Sequence, residues 1–141
     1  MKNETIRRVG VWYLRLGLGT AFLAAVSDRF GLWGAYGTPH VSWGDFGRFI
    51  AYTAQLNWFL PSAVIPTLAW SVTVVETALG VALLLGVYLR PVAYASAALL
   101  TTFALAMTVA LGVKAPLNFS VFTAAGGALV LGAISTSRSS P

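Results

Sequence analysis

The sequence predicts an all-α membrane protein: four transmembrane helices in an antiparallel bundle, with an amphipathic helix in the long first connection. Three observations lead there. The chain of 141 residues is 57% hydrophobic and only 9% charged, whereas an ordinary soluble domain is about 25% charged. Such a chain could not cover its surface in water. The lipid bilayer is therefore its expected solvent, and residues 1–141 read as a single integral membrane domain. Four apolar stretches approach the ~20 residues that a bilayer crossing needs. The long connection between the first two is dense in aromatic residues, which gather at membrane–water interfaces.

The same composition excludes several chemistries. Cysteine is absent, which removes disulfides, thiolate metal sites, iron–sulfur clusters and cysteine nucleophiles. A single histidine, His40, excludes a His-rich metal centre or a bis-histidine haem within one chain, so no metal is expected. The net charge is +5, but no basic run with interleaved aromatics suggests nucleic acid. The positive charges stand instead beside the apolar stretches.

The first stretch, 9–26, follows a polar start with Lys2, Arg7 and Arg8. Ala25-Val26-Ser27 resembles a cleavage site, but Arg15 interrupts what would be the apolar region of a signal peptide. The segment reads as a retained transmembrane helix, and its Gly17, Gly19, Ala21, Ala24 and Ala25 allow close helix contact. In the connection, Gly31, Gly34, Gly37 and Pro39 predict irregular backbone. Ser42, three residues before Asp45, resembles the start of a capping box. Over 43–57, Trp43, Phe46, Phe49, Ile50, Thr53 and Leu56 fall near one helical face. That pattern fits a helix lying in the interface, or dipping in to cover part of the bundle. Pro61 and Pro66 bracket the entry to the second span, 66–89. The third span is 91–111 and the fourth 116–134, with a short turn between them. The Ser-rich tail, 135–141, is expected to be disordered. Short turns make neighbouring helices antiparallel.

Lys2, Arg7, Arg8, Arg90 and Arg138 flank one side of these spans, and Arg29, Arg48 and Lys114 the other. The excess predicts both termini in the cytoplasm, in the inner membrane of a prokaryote.

Glu76 stands near the middle of the second span. A charge at a bilayer centre costs roughly 2.5–3.5 kcal/mol on insertion scales, so it is kept for a partner or a task. Thr73, Glu76, Thr77 and Gly80 share one stripe of that helix. Tyr94, Thr101 and Thr108 repeat along the third, and Arg15 and Gly19 share a face of the first. Turned inward, these stripes give a polar centre. The simplest structural expectation is an Arg15–Glu76 ion pair that pins the bundle. Depth works against it. Arg15 lies about 10 Å from Arg8, and Glu76 about 21 Å from Arg90 on the same side. Each side chain also leans toward its own helix N-terminus. Arg15 then snorkels to the headgroups, and Glu76 meets Arg29 or Arg48 if the connection folds into the mouth of the bundle. Left unpaired, Glu76 would hold a proton.

Several short pieces, in order, resemble the DoxX family of small four-helix membrane proteins, which includes a subunit of thiosulfate:quinone oxidoreductase. They are Leu14-Arg15-Leu16-Gly17-Leu18-Gly19, Asp28-Arg29-Phe30-Gly31, Trp43-Gly44-Asp45-Phe46, Glu76-Thr77-Ala78-Leu79-Gly80 and Gly112-Val113-Lys114-Ala115-Pro116-Leu117. The resemblance implies a four-helix bundle and a link to quinone-coupled redox chemistry.

A quinone-interacting subunit of a membrane oxidoreductase is accordingly the first functional expectation. It assigns proton transfer to Glu76 and the quinone site to Arg15, Thr73, Thr77, Tyr94, Trp43 and His40. It requires no covalently held cofactor, only quinone and a partner redox subunit as donor. Two other classes compete. One is a carrier for a hydrophobic solute, gated by Glu76 and working as a homodimer. The other is a non-catalytic scaffold or assembly factor in which Glu76 serves stability alone.

Overall fold

The computed structural model describes residues 2–135. The expected disordered tail beyond Ser135, with Arg138 of the charge count, lies outside the described residues. Those residues form helices and connecting turns, with no strand among them.

Helix α1 spans Lys2–Arg29. The polar start is thus its first turns, not a separate arm. Glu4 accepts from Arg7 at 2.6 and 3.0 Å and lies 3.5 Å from Arg8. These spacings, three and four residues on, support exposed helix. At about 42 Å, α1 exceeds the ~30 Å hydrocarbon core and projects beyond it or tilts. Helix α2, Phe46–Leu56, begins at Asp45, whose side chain accepts from the Arg48 N–H at 2.9 Å. Asp45 is the N-cap here, not Ser42, because the Ser42 N–H is already given to Asp28.

A short 3-10 turn at Ser62–Val64 leads into α3, Ile65–Leu85. The expected end at Leu89 is corrected to Leu85. Gly86 takes φ +73, and the N–H groups of Gly86 and Val87 return to Leu83 and Ala82, the glycine stop that closes many helices. Helix α4, Leu89–Leu111, starts three residues later. The fourth span is not one helix. It divides into α5, Lys114–Asn118, and α6, Val121–Ile134, around Ser120 at φ +54. Asn118 and Ser120 favour the break, because short polar side chains compete with the helical backbone bonds. Three helices are long and apolar enough to cross a membrane, and α6 is a shorter apolar helix of about 21 Å.

Helix α1 packs chiefly on α3, and α4 on α6. Contacts of α1 with α6 and of α3 with α4 close the ring. The core is Leu18, Phe22, Leu79, Leu83, Ala93, Ala97, Ala128 and Leu131. Its alanines matter: lipid is as apolar as leucine, so close approach rather than water exclusion holds helices together. Gly19 and Gly80 mark the tightest crossing. A Cβ on Gly80 would lie 3.1 Å from the Gly19 carbonyl oxygen, and one on Gly19 would lie 3.0 Å from that of Gly80. Helix α2 lies across α3 and α4 and touches α1, covering the end of the bundle where α1 stops.

Candidate functional site

The last residues of α1 build one end of the bundle. Asp28 is buried, and its carboxylate accepts three backbone N–H groups: Ser42 at 2.8 Å, Trp43 at 3.1 Å and Gly44 at 3.0 Å. These bonds fold the connection back over α1 and set Trp43 and α2 above the bundle. Arg29 is 2% exposed and turns inward. Its Nη2 forms an ion pair with Glu76 Oε2, and its Nη1 donates to Thr73 Oγ1 at 2.9 Å. Glu76 is itself only 3% exposed. The guanidinium lies over the Phe49 ring, 3.8 Å from its centroid, and 5.5 Å from that of Trp43. Weakly hydrated and planar, a guanidinium suits such aromatic surroundings. Arg29 Nε is buried and makes no hydrogen bond among the described residues.

Aromatic contacts continue this wall. Trp43 meets Tyr52 and Phe49, Phe49 meets Phe46, and Phe46 lies 4.2 Å from Trp70 of α3 and 5.5 Å from Phe30. Within it, burial raises the Tyr52 phenol above its ordinary value and keeps it protonated.

The Arg15–Glu76 pair is corrected. Glu76 pairs with Arg29, one of the two partners expected if the connection folds inward, and the other, Arg48, pairs instead with Asp45 on the surface. Arg15 sits at the other end of α3. Its Nε and Nη2 donate to the carbonyls of Leu83 and Leu84, each at 3.0 Å, and its guanidinium covers the Trp12 ring at 4.3 Å. It therefore adds donors at the C-terminal end of α3, where Leu83 also accepts from the Gly86 N–H. A Cβ on Gly86 would press on the Arg15 guanidinium, so glycine gives both the turn and the room.

Of the other candidates, Thr73 joins Glu76 through Arg29, which bonds both, Thr77 stands one turn along, and Trp43 closes the wall. Thr77 Oγ1 donates to the Thr73 carbonyl at 2.8 Å. Tyr94 and His40 are elsewhere. Tyr94 is exposed on α4 and packs over Gly132, while His40 is exposed in the connection at φ +69. Thr101 also points outward. The third helix turns Ala93, Ser96, Ala97 and Ala104 inward instead, because small residues admit the closer neighbour. The sequence pattern passes over Asp28 and Phe49 as site-forming residues. The readable signal for both is Asp28-Arg29 at the end of an apolar helix: two charges there need partners from the next segment. No group of three or more metal-ligating side chains occurs among the described residues.

Residues 7–118 match the family model of the methylamine utilisation protein MauE. That family belongs to the DoxX-like clan of small membrane proteins, so the resemblance to DoxX holds at the level of the clan. No curated protein and no solved structure matches the chain.

Proposed function

The chain belongs to the MauE family of methylamine utilisation membrane proteins, and on that premise we propose that it is a quinone-interacting membrane subunit of an oxidoreductase system. The observation that supports this reading is the buried Arg29–Glu76 pair inside an apolar span, held against Thr73. Ionisable groups at such depth mark proton or substrate sites in membrane proteins. Reducing a quinone takes two electrons and two protons. The chain has no cysteine for a thiol relay, and the electrons come from a partner redox protein. Glu76 relays both protons, taking each from the aqueous side before passing it to the quinone, and Arg29 stabilises the carboxylate between transfers. Arg29 Nε, buried and without a hydrogen bond among the described residues, is a donor that a substrate oxygen or a water would satisfy.

Both termini are cytoplasmic in this proposal. Lys2, Arg7, Arg8 and Arg90 lie toward one end of the bundle, against Arg48 and Lys114 at the other once Arg29 is withdrawn into its ion pair.

A second reading, a membrane assembly factor without a small-molecule site, is favoured by the closure of the pair under Phe49 and Trp43. Mass spectrometry of an organic extract of the purified protein separates the two. Isoprenoid quinone at near-stoichiometric amount supports the first reading. Its absence, from protein purified in mild detergent with its lipids, leaves the second.

A further inference from the structure

The outer face of α3 carries an open groove of about 570 Å³. Phe30 and Trp70 form one end, and Leu85 and Val87 the other. Between Trp70 and Leu85 the helix rises about 22 Å. The aromatic end adjoins the buried ion pair, because Thr73, which lines the groove, accepts from Arg29 on its other side. The rest, toward Val81 and Leu85, is apolar. The groove is thus shaped for a molecule with a flat, polar head and a long hydrocarbon tail, with the head beside Thr73.

The hydrogen bonds within the groove select among such heads. Thr73 Oγ1 donates to the Ala69 carbonyl at 2.8 Å, and Thr77 Oγ1 to the Thr73 carbonyl at 2.8 Å. Both hydroxyl protons are spent on α3 itself. Turning either toward the groove would give up an existing bond. Thr73 Oγ1 is buried and turned to Arg29, whereas Thr77 Oγ1 keeps both acceptor lone pairs. The base of the groove therefore offers an acceptor at Thr77, while the indole of Trp70, which lines its end, carries a donor. A quinone carbonyl only accepts. A quinol hydroxyl both donates and accepts, and so meets both kinds of group.

We infer that this groove binds an isoprenoid quinol, the reduced form, with its ring against Phe30 and Trp70 and a hydroxyl donating to Thr77. The inference rests on the quinone reading above and gives it a location and a preferred redox state. A phospholipid acyl chain would fill the apolar length equally well but has no use for the aromatic end or the threonine lone pairs.

The test uses the full chain in lipid nanodiscs and measures binding of decylubiquinol under argon, beside decylubiquinone and 1-dodecanol. The quinol is expected to bind about fivefold more tightly than the quinone, the worth of one extra hydrogen bond. Thr77→Val, which keeps the shape and removes the acceptor, is expected to erase that preference, and Thr77→Ser to restore it. Ala78→Trp, which fills the groove from a position outside the ion pair, is expected to abolish binding of both forms. Thermal unfolding of each variant reports whether it is folded. Equal affinity for quinol and quinone overturns the inference, as does 1-dodecanol competing as well as the quinol. Binding of both forms that Ala78→Trp leaves untouched overturns the groove but leaves the quinone reading standing. No binding of either form to the wild type overturns both.

Discussion

At the scale of single residues, Arg29 and Glu76 carry the largest consequences. Each is almost fully buried, and among the described residues each forms its ion pair with the other, with Asp28 as a further charge beside Arg29. Removing one side of such a pair strands the other in a medium that cannot hydrate it, at about 3–5 kcal/mol. Glu76→Gln and Arg29→Met are expected to lower thermal stability in detergent by about this amount. Replacing both with apolar residues is expected to cost less than either alone, since no uncompensated charge remains. Arg15 has a different job and a smaller effect. Losing its two bonds to the end of α3 is expected to cost about 1–2 kcal/mol in Arg15→Met, with hydrogen exchange speeding up only near Leu83–Val87. Glu76 was legible in the sequence because a carboxylate within an apolar run needs an explanation. Its partner was legible only as a choice between Arg29 and Arg48, alongside the Arg15 pairing that the structure corrects. Arg29 reaches it only because α1 continues to Arg29 and Asp28 folds the connection back, and neither follows from helical periodicity.

At the scale of elements, hydropathy locates the spans well and their ends poorly. Leu85 and Leu89 are equally apolar, and only the left-handed backbone at Gly86 and Tyr88 separates α3 from α4. The same holds at Ser120, where a left-handed residue divides an otherwise continuous apolar run. The faces of α4 show a second limit. Tyr94, Thr101 and Thr108 do share a stripe, but so do Ala93, Ala97 and Ala104, and the small residues win the interior because they let α6 approach. The crossing of α1 and α3 obeys the same rule. Gly80→Ala presses a methyl on the Gly19 carbonyl, and backbone cannot yield as a side chain does. A loss of about 1–3 kcal/mol is expected, with Gly80→Val worse, measured as the shift in unfolding midpoint. The connection depends on Asp28 in a comparable way. Asp28→Ala is expected to release the amides of Ser42, Trp43 and Gly44 to fast hydrogen exchange while those of α4 stay protected.

At the scale of the whole molecule, the bundle has two differently built ends. At one, arginines of α1 close the exposed carbonyl ends of its neighbours: Arg7 bonds Ile134 of α6 at 2.9 Å, and Arg15 bonds α3. At the other, Asp28 and Arg29 draw the aromatic connection over the helices and bury the charge of Glu76 beneath it. A single helix thus ties both ends, through arginines and one aspartate spaced along its length. The MauE family assignment gives this architecture its biological setting, and the buried pair gives the proposed quinone chemistry its proton-bearing group. Everything at the second end turns on one contact. A double-mutant cycle over Arg29→Met and Glu76→Leu, read by reversible unfolding in bicelles, tests it most directly. The account predicts strong coupling, with the double variant at least about 2 kcal/mol more stable than the sum of the single losses would allow, and no coupling in the matching cycle of Arg15 with Glu76. Additive losses for Arg29 and Glu76, or coupling of Glu76 to Arg15 instead, would contradict it.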